Sequence, residues 1–469
     1  MERINPWVLE RLKRASKRGS SLRFIIEVVP DKRATVKSEL AKIPNIHIIS
    51  QPADRFIVVK MPPELLERVA RIEYVVKVSA DIPVYITGLP TSLKITDPWV
   101  GEIRPSPVEI EFSPVEGLVN LPLIGVRSLE ETVYPTNRVR KFMHLPDKRD
   151  IKTKVGVADT GGVAPPHIHI HPDSKVEFIS CVPYEPSALD NMGHGAHVQT
   201  IAFGDEAIHP RYGLCRGMAN PKITVAIKCL DISGRGYVSW VLDAVDKAHK
   251  AGCKLLNLSL GSELQGSAIT DDPLCRLISA LKDEMLVVCA AGNEGPSKWT
   301  ISSPAASPDC VAIGSWCMKT EGAADFSSRG PSGKYYKDHP DAWERDYKLR
   351  GEDMIKPDCM APGGSRTPSE KILAGCSGWL DPIADILPQY GALRGTSMAT
   401  PAACGTLALA YDRGLIKTAS DVKRKLASGK GVKEEKSASH SEVKIWKVTV
   451  GIPKSCVTGY GFLTWERLL

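Results

Sequence analysis

The sequence predicts an α/β fold, a parallel sheet covered by helices on both faces, with a small α+β domain in front of it. Two observations support this prediction. From Val155 onward, short apolar runs alternate with helical stretches, which is the pattern of a parallel sheet with crossover helices. Upstream, residues 21–88 follow the order strand, helix, strand, strand, helix, strand.

Residues 21–88 are expected to form a domain of their own. The helix over 34–43 carries Val36, Leu40 and Ile43 at the i, i+4, i+7 spacing of one buried face. The order of elements is that of the ferredoxin-like plan. Strands are predicted at 22–29, 46–50, 55–61 and 73–86, and a second helix begins at the proline pair 62–63.

The larger sheet is predicted from apolar runs that are too short for helices. Strands are predicted at 154–159, 176–182, 223–230, 254–260, 286–291 and 310–316, and helices at 194–203, 238–251, 272–284 and 397–412. Because parallel strands end at the same edge of a sheet, functional side chains are expected where these strands end.

Four parts are expected along the chain. They are a basic N-terminal leader at 1–20, the ferredoxin-like domain at 21–88, a proline-rich connecting segment at 89–146 and a large domain at 147–469. The basic leader is expected to be solvated and frayed. Prolines prevent long helices in the connecting segment, part of which is expected to pack as strands on the large domain.

The composition is that of an ordinary globular protein, with 43% hydrophobic residues, 25% charged residues and a net charge of +7 over 469 residues. Neither a nucleic-acid partner nor a membrane span is expected. No apolar run follows the basic start, so a cytoplasmic protein is expected, or a secreted one if a leader is missing from this sequence.

All 12 cysteines lie between Cys181 and Cys456, most of them within apolar runs. Such positions suit reduced thiols that serve as small buried hydrophobic groups. No C-x-x-C pair occurs in the sequence, so a zinc site of that type is not expected.

The most informative segment of the chain is the heptapeptide Gly395-Thr396-Ser397-Met398-Ala399-Thr400-Pro401. It places a serine before a run of small residues, 402–410, that is typical of a buried helix. At a helix N-terminus, unpaired N–H groups and the positive end of the helix dipole converge. That environment suits a nucleophile beside a developing oxyanion, although serine is also a common helix cap.

A nucleophilic serine needs a base, and the base needs an orienting carboxylate. The run 154–159 is a buried strand that ends in Asp159, and His194 opens a helix-like stretch after Gly193. A further buried strand, 286–291, opens into a turn that contains Asn293, whose amide is a suitable oxyanion donor. These residues are the candidates for the catalytic groups.

Together these segments resemble the subtilisin-like serine proteases, the subtilase family. The chain order Asp159, His194, Ser397 is that of the family. Asn293 matches its oxyanion asparagine, and the segments 326–331 and 356–363 match two further motifs in order. The resemblance runs from about Val155 to Gly461.

The resemblance implies a subtilisin-like fold with residues 147–469 as the catalytic domain, a serine endopeptidase with an acyl-enzyme intermediate, and an N-terminal domain that is a propeptide. That domain would inhibit the enzyme from within the chain until autoprocessing of the zymogen. The resemblance also implies substrate-binding positions at Leu258, Ser259, Leu260, Gly261, Ala290, Ala291 and Gly292. The family usually has threonine in place of Ala196, and His-Val-Ala in place of 402–404, but these positions only support the site.

Two other questions concern metals. His167, His169 and His171 would lie on one side of an extended chain, yet 171–173 resembles a common subtilase loop, so no metal site is expected. No cofactor is required for the chemistry. Structural calcium is possible for the family, but no EF-hand-type motif supports it here.

Two alternatives to a general endopeptidase that acts on protein or peptide substrates remain. One is a protease of narrow specificity that matures a single partner. The other is an inactive subtilase-like binding protein that is permanently blocked by its N-terminal domain. A fluorophosphonate probe separates the second from the enzymes, because only an activated serine reacts with it.

Overall fold

In a computed structural model of the chain, the described residues are 3–6, 8, 9, 12, 21–86, 131–262, 268–377, 389–428 and 454–469. The helices are α1 (Arg33–Ala41), α2 (Leu66–Ala70), α3 (Thr136–Phe142), α4 (His194–Phe203), α5 (Val238–Lys250), α6 (Pro273–Leu281), α7 (Lys334–Asp338), α8 (Pro340–Arg350), α9 (Thr396–Asp412) and α10 (Ala419–Ala427). Short 3₁₀ turns lie at Pro63–Leu65, Ile269–Asp271, Gly351–Met354 and Glu466–Leu468. No helix in this described part has both the length and the apolar character to cross a membrane.

The strands of the N-terminal part and the connecting segment are β1 (Leu22–Val28), β2 (His47–Ser50), β3 (Phe56–Met61), β4 (Val75–Ala80), β5 (Pro83–Ile86), β6 (Thr132–Pro135) and β7 (Asp150–Ile151). Those that follow are β8 (Val155–Asp159), β9 (Lys175–Ser180), β10 (Ala207–His209), β11 (Gly213–Cys215), β12 (Asn220–Pro221), β13 (Ile223–Lys228), β14 (Arg235–Tyr237) and β15 (Leu255–Leu258). The remaining strands are β16 (Leu260–Gly261), β17 (Leu286–Ala290), β18 (Val311–Cys317), β19 (Gly322–Ala323), β20 (Cys359–Pro362), β21 (Glu370–Gly375) and β22 (Tyr390–Leu393).

The central sheet has the strand order β19-β18-β17-β15-β8-β13-β9, and β20 pairs with β18. Every pairing in it is parallel except that of β18 with the short β19. The carboxyl ends of the parallel strands therefore lie along one edge, where Asp159 ends β8.

Helices cover both faces of this sheet, as predicted. Leu256 and Val287 join the hydrophobic core that includes residues of α5 and α6, whereas Leu255 and Val288 join the core that includes residues of α4 and α9. Neighbouring residues of one strand thus enter different cores. This explains why these strands are continuous apolar runs in the sequence without alternation.

The N-terminal domain is a four-stranded antiparallel sheet with the order β2-β3-β1-β4, which agrees with the predicted plan. The predicted strand 73–86 is wrong in one respect, because it is two strands in different sheets. β4 stays in the domain, and β5 leaves it at Asp81 and Ile82 to join the catalytic domain. The change of direction coincides with the side chain of Asp81, which accepts hydrogen bonds from Ser239.

The expectation of a frayed N-terminus is wrong for the first described residues. Ile4, Asn5 and Val8 are buried, and the N–H of Asn5 donates to the carbonyl of Val78 at 2.9 Å. Apolar residues are interspersed among the basic residues of this segment, and they pack along the edge of β4.

One hydrophobic core joins the N-terminal domain to the catalytic domain, because Phe24 and Val58 belong to the same cluster as Trp240 and Leu274. Charged groups close the interface. Glu27, 3% exposed, accepts from Arg276 Nη2 at 3.0 Å.

At the start of α5, Asp81 Oδ1 accepts the N–H of Ser239 at 2.9 Å and Oδ2 accepts its hydroxyl at 2.8 Å. The N-terminal domain thereby satisfies an N–H of a catalytic-domain helix.

The connecting segment and the C-terminal segment are also tied to the catalytic domain. β6 runs parallel to β21, as expected for part of the proline-rich stretch, whereas residues 87–130 lie outside the described residues. Residues 454–469 lie beside β20 in space, where their backbone is hydrogen-bonded to it. The Nζ atom of Lys454 lies 2.6 Å from Asp358 Oδ1 in the interior. All twelve cysteines are free, and all except the half-buried Cys456 are buried.

Candidate active site

The carboxylate and the imidazole predicted from the sequence lie in contact. Asp159 is the last residue of β8 and His194 the first residue of α4, after Gly193 with φ 114°. The distance from His194 Nδ1 to Asp159 Oδ1 is 2.7 Å, and both side chains are buried. Nε2, the opposite ring nitrogen, is also buried and has no hydrogen-bond partner among the described residues. The base is thus oriented with its second nitrogen available for a proton.

The candidate nucleophile lies in the first turn of α9. Gly395 precedes this helix with φ 150°, a conformation that side chains other than glycine rarely adopt. The hydroxyl of Ser397 donates to the carbonyl of Ser259 at 3.1 Å, and Ser259 Oγ donates to the carbonyl of Ser397 at 3.0 Å. The serine hydroxyl is therefore turned toward the strand, and rotation about its Cα–Cβ bond changes its direction without backbone movement.

The side-chain amide of Asn293 is held by its oxygen. Oδ1 accepts the N–H of Thr396 at 2.9 Å and its hydroxyl at 3.0 Å, while the N–H of Gly292 lies 3.3 Å from Thr396 Oγ1. The amide orientation is fixed by these contacts. The opposite end, Nδ2, is the end that can donate to another oxygen.

A cleft lies between β14 and β16, and the chain itself occupies it. Strand β5 pairs antiparallel with both neighbours, so it is the middle strand of a three-stranded sheet. Ile86 pairs with Leu260, and Tyr85 pairs with Gly261 on one side and Arg235 on the other. The strand edge at Leu260 and Gly261, which the resemblance implied for substrate binding, therefore pairs with residues of the N-terminal part.

The implied pocket wall, Ala290 to Gly292, faces two serine hydroxyls. A Cβ added to Gly261 would lie 2.6 Å from Ser302 Oγ, and one added to Gly292 would lie 2.7 Å from Ser328 Oγ. Ser302 Oγ also donates to the carbonyl of Ala291 at 3.3 Å. A serine hydroxyl therefore lies close to the backbone of each glycine.

Sequence reasoning missed the strand β14 and the groups behind the base. β14 gives no signal because it is a three-residue strand within a loop. Asp190 and the hydroxyl of Thr160 contact the turn that carries His194. The only signal for them in the sequence is their position, Thr160 directly after Asp159 and Asp190 four residues before His194.

Two buried histidines pack against the hairpin of β21 and β22 behind the base. His197 Nε2 lies 3.1 Å from the carbonyl of Ile372 and 3.0 Å from that of Gly391. The ring of His169 packs edge-on against Tyr390, with centroids 4.8 Å apart. Burial is the main cause that lowers the pKa of each imidazole to about 3, and neighbouring imidazoles add to it.

The histidines at 167, 169 and 171 lie in successive turns and do not form a strand. His167 faces the carbonyl of Cys376, and His171 Nδ1 accepts the N–H of Asp173. Within the described ranges, no group of three or more histidine, cysteine, aspartate or glutamate side chains is arranged to hold a metal ion.

Comparisons with known proteins identify the family and similar proteins. A model described as the subtilase family matches residues 150–441. Serine protease AprX of Bacillus subtilis is 28% identical over 298 residues, which cover 59% of this chain and 60% of AprX, less than two thirds of that protein. Subtilisin BL of Lederbergia lenta is 32% identical over 258 residues, 55% of this chain and 75% of that protein.

A solved structure of similar fold is the epidermin leader peptide processing serine protease from Staphylococcus aureus. It matches with a TM-score of 0.59 and 19% identity, covering 96% of this chain and 98% of that chain. The similarity therefore includes the N-terminal part as well as the central sheet.

Proposed function

This chain belongs to the subtilase family, and from that membership we propose that it is a serine-type endopeptidase that hydrolyses protein or peptide substrates. The observation that carries the proposal is the 2.7 Å contact between Asp159 and His194; the contact of Ser397 with Ser259, next to the pairing of β5 with β16, supports it. The triad roles are proposed from these contacts and the mechanism of the family.

In the proposed reaction, the hydroxyl of Ser397 turns from the Ser259 carbonyl to His194 Nε2 and attacks the scissile carbonyl. The imidazole takes the hydroxyl proton and then gives it to the leaving amine. Asp159 holds the ring through Nδ1 and stabilises the imidazolium. Water then hydrolyses the acyl-enzyme by the same route in reverse.

Asn293 and the N–H of Ser397 are the proposed oxyanion donors. Thr396 holds Oδ1 of the amide, so Nδ2 is presented without reorganisation when negative charge develops. A substrate would pair with β14 and β16 as an added strand.

The chain is proposed to be a zymogen whose N-terminal domain inhibits it. β5 occupies the position of a substrate strand, and Asp81 and Glu27 anchor the domain that carries it. Because Ile86 pairs with Leu260, a chain continuing in register would bring the next peptide group opposite Ser259. The carbonyl of Ser259 accepts the hydroxyl of Ser397, so autoprocessing is proposed directly after residue 87, at the bond between Thr87 and Gly88.

The test compares purified wild type with Ser397→Ala by mass spectrometry and N-terminal sequencing. Wild type should convert to a fragment that begins at Gly88 and should react with a fluorophosphonate probe. Ser397→Ala should remain at full length, bind no probe and keep the thermal stability of the uncut protein. The variant also controls for contaminating proteases.

Different outcomes contradict different parts of the proposal. Folded wild type that neither reacts with the probe nor cleaves peptides would be an inactive binding protein. Wild type that cleaves peptides while its own chain stays uncut would be an enzyme with a permanent N-terminal domain.

A further inference from the structure

We propose that Asp190 is a second carboxylate behind the base, a positioning residue that acts through His194. This inference rests on the proposed hydrolytic function. Asp190 lies in the loop before α4 and is 6% exposed. Among the described residues, its side chain is hydrogen-bonded to the turn around His194 and to Thr160, and not to the nucleophile or the cleft strands.

The carboxylate of Asp190 accepts hydrogen bonds from the turn that carries the base. Its Oδ1 accepts the N–H of Met192 at 3.0 Å and that of Gly193 at 2.9 Å. Its Oδ2 accepts the N–H of Ala196 at 2.7 Å. These donors stand on both sides of His194, so a single side chain fixes the backbone from which the imidazole projects.

Thr160 connects this carboxylate to the other catalytic residue. Its hydroxyl donates to Asp190 Oδ1 at 3.0 Å and accepts the N–H of Gly195 at 2.9 Å, while its N–H donates to Asp159 Oδ1 at 2.7 Å. Asp159 Oδ1 is the atom that contacts His194. The backbone turn of the base and the carboxylate that orients the base therefore share one hydrogen-bonded network.

The charge of Asp190 has a second consequence. Within the described residues, no lysine, arginine or histidine lies at ion-pair distance from its carboxylate, which is held by N–H groups at the start of α4. The other charged groups nearby are Lys228, whose Nζ donates to the carbonyl of Thr160 at 2.7 Å and lies 2.9 Å from Glu185, and the imidazole of His197 on α4. These groups are the same in wild type and variant, so the charge that changes is the one beside the start of α4, and it favours the imidazolium that forms when His194 takes the serine proton. The residue therefore contributes both orientation and charge.

The test is Asp190→Asn, which keeps the size of the side chain and one acceptor oxygen. It removes the charge and places an amide NH₂ group opposite the N–H of Ala196. We expect kcat to fall by about ten- to a hundredfold, the effect of losing a hydrogen bond to a charged group, with KM little changed. The acidic limb of the kcat/KM profile should move to lower pH, because removing a negative charge makes the protonated base less favourable. A residue that only stabilises the fold would not move that limb.

Thr160 supplies a second line of test that does not depend on the folding of Asp190→Asn. Thr160→Val removes the shared hydroxyl and should lower kcat, whereas Thr160→Ser keeps the hydroxyl and should recover most of the loss. Because both residues act on one network, the double variant Asp190→Asn/Thr160→Val should lose less than the product of the single losses. Asp421→Asn is the control, since Asp421 Oδ2 also accepts backbone N–H groups at a helix start, those of Lys417 and Thr418 before α10; it should leave kcat and the pH profile unchanged.

Nuclear magnetic resonance titration of the His194 ring separates this inference from the proposed function. In Asp190→Asn, the midpoint of the ring's titration should fall relative to wild type, whether or not the protein hydrolyses peptides. Unchanged midpoint and kcat in folded Asp190→Asn and Thr160→Val would reduce Asp190 to an ordinary helix cap. Inactive wild type with a lowered midpoint in the variant would reject the hydrolytic function and retain the network.

Discussion

The two halves of the active site are held in different ways. On the base half, Asp159, His194 and Asp190 are joined by short buried hydrogen bonds. On the nucleophile half, the hydroxyl of Ser397 rests on the Ser259 carbonyl, and the amide of Asn293 is fixed only at its oxygen. The base and its carboxylate are therefore in direct contact, whereas the serine hydroxyl must turn away from Ser259 before it can react, and the cleft next to it is occupied by β5.

The largest expected effect breaks the nucleophile half. Asn293→Ala should lower kcat by about 10²–10³-fold with a small change in KM, a magnitude taken from removal of the oxyanion asparagine in subtilisin, a member of this family. The donor contacts the oxyanion more strongly than the ground-state carbonyl, so kcat carries the loss. Steady-state kinetics on one peptide would measure it, with Asn220→Ala as the control. A change confined to KM would assign Asn293 to substrate binding.

Acid should break the packing behind the base half. His169 and His197 are held neutral by burial, which lowers the pKa of each to about 3 from the ordinary 6.5. The contribution of these neutral rings to the free energy of unfolding is complete above pH 6.5. It is lost as the pH falls toward 3, because only the unfolded chain takes up the protons. At pH 5 the loss is about 2 kcal/mol for each histidine.

Urea unfolding at pH 7 and pH 5 would measure this loss. His197→Gln should reduce the difference between the two pH values, whereas His47→Gln, at an exposed position, should not. Equal stability at both pH values would show that these rings accept protons in the folded protein.

Loss of a contact that anchors the N-terminal domain should weaken the binding of β5 in the cleft of the nucleophile half. Glu27→Ala removes the acceptor of Arg276 and Arg55 from the interface. The expected loss of binding free energy is about 2 kcal/mol, which corresponds to roughly thirtyfold weaker inhibition by the cleaved domain. This value is at the low end for buried pairs, because both arginines are partly exposed. Titration of mature enzyme with the cleaved domain would measure it. Glu67→Ala, which loses only an exposed pair with Arg71, should inhibit like wild type.

The smallest expected effect sharpens the shape of the cleft. Ser302→Gly removes the hydroxyl that lies beside Gly261 and should favour larger side chains before the scissile bond. The ratio of kcat/KM for a phenylalanine and an alanine peptide should rise by about tenfold. Ser174→Gly, in a separate loop, is the control. An unchanged ratio would place that side chain elsewhere.

Much of the fold could be predicted because the central strands are buried on both faces. Runs such as 286–290 contain no polar residue that would obscure them. The break of the predicted strand 73–86 could not be predicted, because its cause is the contact of Asp81 with Ser239, 158 positions away. Local patterns carry no information about such partners.

The same distinction applies to the site. Asp159 and His194 stand at the end of a strand and the start of a helix, which are recognisable in a sequence. Asp190 stands in a polar loop without periodicity, and its donors meet it only in the folded chain. The direction of the Ser397 hydroxyl is a rotamer, which no residue pattern specifies.

The double pairing of β5 has a consequence for the timing of activation. A strand hydrogen-bonded along both edges cannot peel away from one side, so β14 and β16 must release it together. After cleavage, the off-rate of the domain, rather than peptide hydrolysis, should then govern the appearance of activity. Progress curves started from freshly cut protein should begin with a lag whose length does not depend on the substrate concentration.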